Sequence, residues 1–163
     1  MPASVFVRRL SLALLTLGGI GFVPAAQGTL GSFVTIVLLL PLLIVLTPAE
    51  FALVIVLLSM ALFWLSLQAI HAVVAPPYDR RFIVIDEVIG MSLSLLPLVL
   101  FPEAGLLGAA AAFVAFRFFD IVKPFGIRRI DALGTPLSVL TDDLAAGAYA
   151  ALVTIVFCVG IAL

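Results

Sequence analysis

The chain has 163 residues, of which 65% are hydrophobic and only 10% are charged, and its mean hydropathy is +1.41. A soluble domain of this length removes only roughly 70% of its unfolded surface from water, so it cannot hide so much apolar surface. The net charge of −1 provides no field that would attract nucleic acid. The single cysteine, Cys158, excludes an internal disulfide and a cysteine-based metal site. The composition therefore predicts one integral membrane domain over residues 1–163.

Apolar stretches separated by proline and glycine predict an all-α, polytopic membrane fold with about five to six membrane-embedded helices. β-Strands are not expected, because the apolar stretches do not alternate with polar residues. The first stretch, residues 10–26, follows Arg8 and Arg9, and it is interpreted as a span, a re-entrant segment or a cleaved signal peptide. The later helices are predicted over residues 32–46, 49–74, 83–101, 104–122 and from residue 138 to the C-terminus.

Basic residues in the predicted loops indicate the orientation of the chain. Arg80 and Arg81 lie between the third and fourth helices, and Lys123, Arg128 and Arg129 lie between the fifth and sixth. Cytoplasmic loops carry an excess of lysine and arginine. Both loops are therefore predicted on the cytoplasmic side of the membrane.

Charged residues inside or at the ends of membrane helices are costly, and they are candidates for function. Six of them are predicted at the cytoplasmic ends of three helices. Taken singly, each has a structural explanation, because an acid favours a helix N-terminus and residues spaced i, i+3 can form an ion pair. Adjacent buried carboxylates, however, repel each other and need a cation or a proton. The six residues are Asp86 and Glu87 in the fourth helix, Arg117 and Asp120 in the fifth, and Asp142 and Asp143 in the sixth.

Carboxylates without neighbouring histidine or cysteine favour a hard divalent cation, and Mg²⁺ is the first choice. Arg117 can bind a phosphate through two hydrogen bonds, and Lys123 can act as a point charge. The turn at residues 28–32 opens a predicted helix, so its amides could bind an anion. These features predict a metal-assisted phosphate site for an amphipathic substrate from the inner leaflet. The predicted metal ligands are Asp86, Glu87, Asp142 and Asp143, and the turn contributes Gly28, Thr29, Gly31 and Ser32.

A small transporter or ion channel with a carboxylate-lined path is the competing class, because acids within the membrane also mark ion pathways. Such a path needs polar residues across the whole membrane. The outer halves of the last three helices are almost entirely apolar, which favours the enzyme.

Four short motifs, in order, resemble those of the phosphatidylglycerophosphatase A family: GTLGS at 28–32, IVIDEVIG at 83–90, RFFDIVKP at 117–124 and DDLAAG at 142–147. The resemblance covers about residues 20–150. It implies a Mg²⁺-dependent lipid phosphatase of the bacterial inner membrane, which converts phosphatidylglycerophosphate to phosphatidylglycerol. The chain departs from the family at Gln27, where proline is frequent, and in the loop at residues 134–138, where the family is richer in glycine.

We hypothesise the following roles for these residues. The catalytic set comprises Asp86, Glu87, Asp120, Asp142 and Asp143, with Mg²⁺-assisted attack of water on phosphorus. Arg128 and Arg129 would hold a second phosphate or lipid headgroups. Two alternatives stay open, namely a covalent intermediate on Asp86 and a related substrate such as phosphatidic acid.

Overall fold

The computed structural model describes residues 4–163, and over that range it contains only helices and loops. The predicted all-α fold is therefore confirmed. Short 3₁₀ segments occur at Leu17–Phe22, Leu96–Val99 and Pro102–Ala104. The α-helices are α1 (Val5–Leu15), α2 (Gln27–Leu39), α3 (Leu42–Val45), α4 (Pro48–Val73), α5 (Ile85–Leu95), α6 (Gly105–Val122), α7 (Ile127–Asp131) and α8 (Pro136–Ala162).

Four segments are long and apolar enough to cross a membrane: Gln27–Val45, Pro48–Val73, Pro102–Val122 and Pro136–Ala162. This finding agrees with a polytopic helical membrane protein. Helix α5 has only 11 residues, so it spans about half of the hydrocarbon core at roughly 1.5 Å per residue. The exact number of membrane-embedded helices, predicted as five to six, stays a prediction.

Prolines and capping threonines define the starts of the two longest helices. The Thr47 hydroxyl accepts a hydrogen bond from the Glu50 amide (3.3 Å) ahead of α4, and Thr135 accepts one from Ser138 (3.0 Å) ahead of α8. Each threonine precedes a proline that tolerates the first helical position. Both starts lie within two residues of the predicted ones.

The predicted boundaries of the second helix were wrong. Helix α2 begins at Gln27 rather than at residue 32, so residues 28–32 form its first turns instead of a turn before it. The helix then ends at Leu39, because Pro41 lacks an amide hydrogen, and Pro41 is the N-cap residue of α3. The hydroxyl of Ser32 donates to the Gly28 carbonyl at 2.8 Å, within the same helix.

The predicted fourth helix, residues 83–101, is also shorter in the structure. Helix α5 ends at Leu95 and continues as a 3₁₀ turn that contains Pro97. A proline cannot donate the hydrogen bond that would continue the α-helix.

The first apolar stretch is not one straight helix. Helix α1 ends at Leu15, and Gly18 and Gly19 follow with φ of 68° and 112°, in the left-handed region that favours glycine. The carbonyl of Leu15 accepts a hydrogen bond of 2.9 Å from the Val84 amide. This bond ties the end of α1 to the start of α5.

Helix α5 lies at the centre of the bundle. Met91 and Leu95 on α5 pack with Phe116 of α6 in one buried cluster, whereas Ile85 and Ile89 pack in a second cluster with α1, α4 and α8. The surrounding helices expose large apolar side chains on their outer faces, as expected where they contact lipid. The acidic start of α5 is thereby held between α2, α6 and α8.

Candidate active site

The polar ends of the helices meet in one cavity of about 380 Å³. Its wall is formed by the start of α2, the loop before α5, the start of α5, the end of α6, α7 and the first turns of α8. Residues predicted from separate motifs are therefore brought together. Those on the wall are Gly28, Asp86, Glu87, Asp120, Lys123, Asp142 and Asp143, together with Asp131.

Three carboxylates form a group that could bind a metal ion. Asp86, Glu87 and Asp143 each offer one oxygen, and these oxygens all lie within 4.8 Å of one another. Asp143 is buried, and Oε2 of Glu87 is buried without a hydrogen-bond partner. Like charges so close together are costly unless a cation or proton compensates them.

A close crossing of α5 and α8 brings these carboxylates together. Gly90 follows Asp86 by four residues, and Gly147 follows Asp143 by four, so each glycine shares a helix face with its acid. A β-carbon on Gly147 would overlap the carbonyl oxygen of Gly90. The two backbones are thus in direct contact one turn away from the acids, and larger side chains there would separate them.

The other predicted metal ligand, Asp142, has a different partner. Successive side chains on a helix point about 100° apart, and Asp142 Oδ2 lies 2.6 Å from Lys123 Nζ. The same ammonium lies 2.7 Å from Asp131 Oδ1. Oδ1 of Asp142 is buried and has no hydrogen-bond partner. Asp142 is therefore beside the three-carboxylate group, and its second oxygen stays available.

Lys123 lies just beyond the end of α6, in a left-handed conformation with φ of 49°. Desolvation lowers the pKa of its ammonium group, but hydrogen bonds to Asp131 and Asp142 outweigh that effect. The net pKa is raised above the ordinary value, so this lysine keeps its charge in the cavity.

Arg117 and Asp120 form the ion pair that their spacing allows, with 2.7 Å between Nη1 and Oδ2. The Arg117 side chain is only 16% exposed, and it lies close to Gly28 but is not on the cavity wall. Its Nε has no hydrogen-bond partner. In this position the guanidinium orients and compensates the neighbouring acids.

The predicted phosphate-binding turn contributes mainly through the start of α2. Gln27 and Gly28 line the cavity, and the amides of the first turn are free because no side chain caps the helix. Thr29, Gly31 and Ser32 are not on the wall. Gly31 instead packs against the Val84 carbonyl.

The structure adds two arginines whose positions in the sequence indicated only the orientation of the chain. Arg80 and Arg81 line the same cavity as the carboxylates. Arg128 and Arg129, predicted to hold a second phosphate, are exposed on α7 and are not on its wall. Arg80 and Arg81 lie six and five residues before Asp86, respectively, and only the folding of their loop places them at the site.

An apolar groove of about 520 Å³ lies between α4, α5 and α8. Leu144 and Ile89, which line it, follow Asp143 and Asp86 within one helical turn. Met60, Phe63 and Trp64 of α4 form the opposite side. Two residues of the groove, on α5 and α8, therefore lie within one helical turn of the cavity's carboxylates.

The sequence model of one family, phosphatidylglycerophosphatase A, matches residues 13–158. A Bacteroides thetaiotaomicron protein with the provisional name phosphatidylinositol-3-phosphatase is 32% identical over 141 residues, which cover 80% of this chain and 82% of that protein. A Haemophilus influenzae phosphatidylglycerophosphatase A is 39% identical over 77 residues, covering 47% of this chain and 45% of that protein. No solved structure matches the chain.

Proposed function

The chain belongs to the phosphatidylglycerophosphatase A family, and on that basis we propose that it hydrolyses the terminal phosphomonoester of phosphatidylglycerophosphate. Water attacks phosphorus, the bond from phosphorus to the glycerol oxygen breaks, and that oxygen takes a proton. The products are phosphatidylglycerol and inorganic phosphate. The observation that carries the proposal is the group formed by Asp86, Glu87 and Asp143 in a cavity at the polar end of apolar helices.

The donor set suits Mg²⁺, because every side chain in the group offers a hard carboxylate oxygen. The partnerless Oε2 of Glu87 also fits a cation. We assign Asp86, Glu87 and Asp143 as its ligands, with Asp142 beside them. When bound, Mg²⁺ would offset the negative charge of the phosphoryl group and polarise it toward attack.

The cavity supplies donors for the phosphoryl oxygens. The Lys123 ammonium remains charged between Asp131 and Asp142, and it can donate to an oxygen of the transferring group. The free amides at Gln27 and Gly28 lie at the positive end of α2, which favours an anion.

Asp142 is our candidate for accepting a proton from the attacking water, because the residue lines the cavity and its Oδ1 has no hydrogen-bond partner. Attack by Asp86 itself is the alternative, and it would leave an acyl phosphate on the protein. Trapping with hydroxylamine separates the two, since that reagent reacts with an acyl phosphate.

We place the site on the cytoplasmic face of the bacterial inner membrane. Arg80, Arg81 and Lys123 line the cavity, and Arg128 and Arg129 lie on α7, which forms part of the same end of the bundle. Such a concentration of basic residues favours the cytoplasmic side. The headgroup would lie at the membrane interface while its acyl chains remain in the inner leaflet.

The structure does not favour a transport path. Buried hydroxyls occur deeper in the bundle at Ser92, Ser94 and Thr154, but each donates to the carbonyl four residues earlier in its own helix. These three hydroxyls are satisfied within their own helices instead of lining a polar route, whereas the buried hydroxyls of Ser59 and Ser66 on α4 have no hydrogen-bond partner. A related lipid monoester is the second candidate for the substrate, because one relative is named for a phosphoinositide.

Phosphate release from phosphatidylglycerophosphate in vesicles, with and without Mg²⁺, tests the proposal. We expect Mg²⁺-dependent release by the wild type and a loss of at least about 100-fold in Asp86→Asn and Asp143→Asn. Glu103→Gln is the matched control, because Glu103 is an exposed carboxylate before the start of α6, whose other end reaches the site. An inactive wild type would overturn the proposed function, and full activity in both aspartate variants would overturn the assigned site.

A further inference from the structure

Two arginines on the cavity wall have no acidic partner. The guanidinium of Arg80 donates to the Ala75 carbonyl at 3.3 Å, and neither Arg80 nor Arg81 forms an ion pair. This is unexpected, because Asp79 and Asp86 line the same cavity. Among residues 4–163, the ion pairs involve only Arg117 and Lys123 as cations. Arg80 and Arg81 are therefore available to an anionic ligand.

The other cations near the cavity already have acidic partners. Lys123 is held between two carboxylates, and Arg117 is paired with Asp120. An unpaired arginine is well suited to binding a phosphate, because its planar guanidinium can donate two parallel hydrogen bonds to the phosphate oxygens. The cavity is thus divided between an acidic metal-binding part and a basic part on the loop before α5.

The proposed substrate has two phosphate groups, a terminal monoester and an internal phosphodiester separated by a glycerol. The carboxylate group and its metal would take the monoester. Phosphatidic acid, by contrast, has only a monoester. A second anion site in the same cavity would therefore distinguish the two lipids.

We propose that Arg80 and Arg81 form a subsite for the internal phosphodiester of the headgroup, and that this subsite selects lipids with two phosphates. The inference rests on the proposed function for its substrate. It also moves this role from Arg128 and Arg129, which are exposed outside the cavity wall, to the loop between α4 and α5.

The position of the apolar groove agrees with this assignment. The groove lies between α4, α5 and α8, and the loop that carries Arg80 and Arg81 connects the first two of these helices. We assign the groove to an acyl chain of the same lipid. In a lipid bound with its acyl chain in this groove, the phosphodiester would lie beside the loop and the terminal phosphate would lie at the carboxylates.

Substrate preference is the first test. We compare kcat/KM for phosphatidylglycerophosphate and phosphatidic acid in the wild type and in the double variant Arg80→Gln/Arg81→Gln. The double variant is expected to lose about tenfold or more on the two-phosphate lipid and to keep its activity on phosphatidic acid. The double lysine variant should recover part of the loss, and Arg9→Gln, an exposed arginine on α1, should behave as wild type. An equal loss on both lipids, or no loss, would overturn the subsite.

A binding measurement separates this inference from the proposed function. Glycerophosphoglycerol carries only the phosphodiester and has no phosphomonoester to hydrolyse. We expect the full-length protein in detergent to bind it, with a dissociation constant about tenfold higher in the double glutamine variant. Equal binding by both proteins, or no binding by the wild type, would overturn the subsite. Binding by a wild type that releases no phosphate would instead overturn the proposed function alone.

Discussion

Gly28 of α2 lies against Glu87 of α5, so closely that a β-carbon at position 28 would overlap the carboxylate oxygen Oε1. The same β-carbon would lie 3.0 Å from Nη1 of Arg117. Helix α2 has ordinary helical geometry here, so the close approach, and not the backbone conformation, requires glycine. The start of α2 thereby fixes the position of one proposed metal ligand.

Gly28→Ala should therefore displace Glu87 and weaken the metal site. We expect the Mg²⁺ concentration for half-maximal phosphate release to rise by about tenfold or more, as for a lost supporting contact around a metal. A Mg²⁺ titration of the activity measures this change. Gly160→Ala is the control, because nothing lies within 4 Å of a β-carbon there. A titration curve identical to that of the wild type would show that Gly28 does not position the site.

Gly147→Ala should separate α5 from α8. Its β-carbon would overlap the backbone of Gly90, and forced overpacking costs about 1–3 kcal/mol. Denaturant unfolding in detergent measures the free energy of unfolding. Gly160→Ala, in the same helix, is the control and should change this free energy by less than about 0.5 kcal/mol. We also expect Gly147→Ala to lose activity, since Asp143 lies one turn away. Equal stability of the two variants would contradict the close crossing.

The stability contributed by Lys123 should depend on pH in a defined direction. Despite desolvation, hydrogen bonds to Asp131 and Asp142 raise the pKa of Lys123 above its ordinary value of 10.5. When the pKa of a lysine is higher in the folded than in the unfolded protein, its stabilising effect is complete at a pH below the unfolded-state pKa. The effect is lost as the pH rises through the folded-state pKa. Above neutral pH, the difference in unfolding temperature between the wild type and Lys123→Met should thus stay constant up to about pH 10 and shrink at higher pH. A difference that disappears near pH 8 would contradict the paired lysine.

The starts of the two longest helices could be predicted because specific residues mark them in the local sequence. Pro48 and Pro136 follow capping threonines, and these starts agree with the structure. Pro41 and Pro97 fall inside predicted helices and interrupt them instead. Whether a proline starts a helix or interrupts one depends on how the surrounding helices pack against that segment. The local sequence does not contain that information.

The acidic residues of the site could also be predicted, but not the partner of each one. Asp142 and Asp143 are adjacent in the sequence, yet Asp142 forms an ion pair with Lys123 whereas Asp143 belongs to the carboxylate group that contains Asp86. Which of them faces the metal-binding group depends on the rotation of α8 about its axis. The crossing at Gly147 sets that rotation, and only the packed bundle shows it.

Binding of Mn²⁺, used in place of Mg²⁺ and followed by electron paramagnetic resonance, tests the proposed metal site most directly. The full-length wild type should bind the ion, and Glu103→Gln should bind it equally well. Glu87→Gln and Asp143→Asn should each bind at least about 100-fold more weakly, because each removes a proposed ligand. Equal affinity in all four proteins would contradict a metal site formed by Asp86, Glu87 and Asp143.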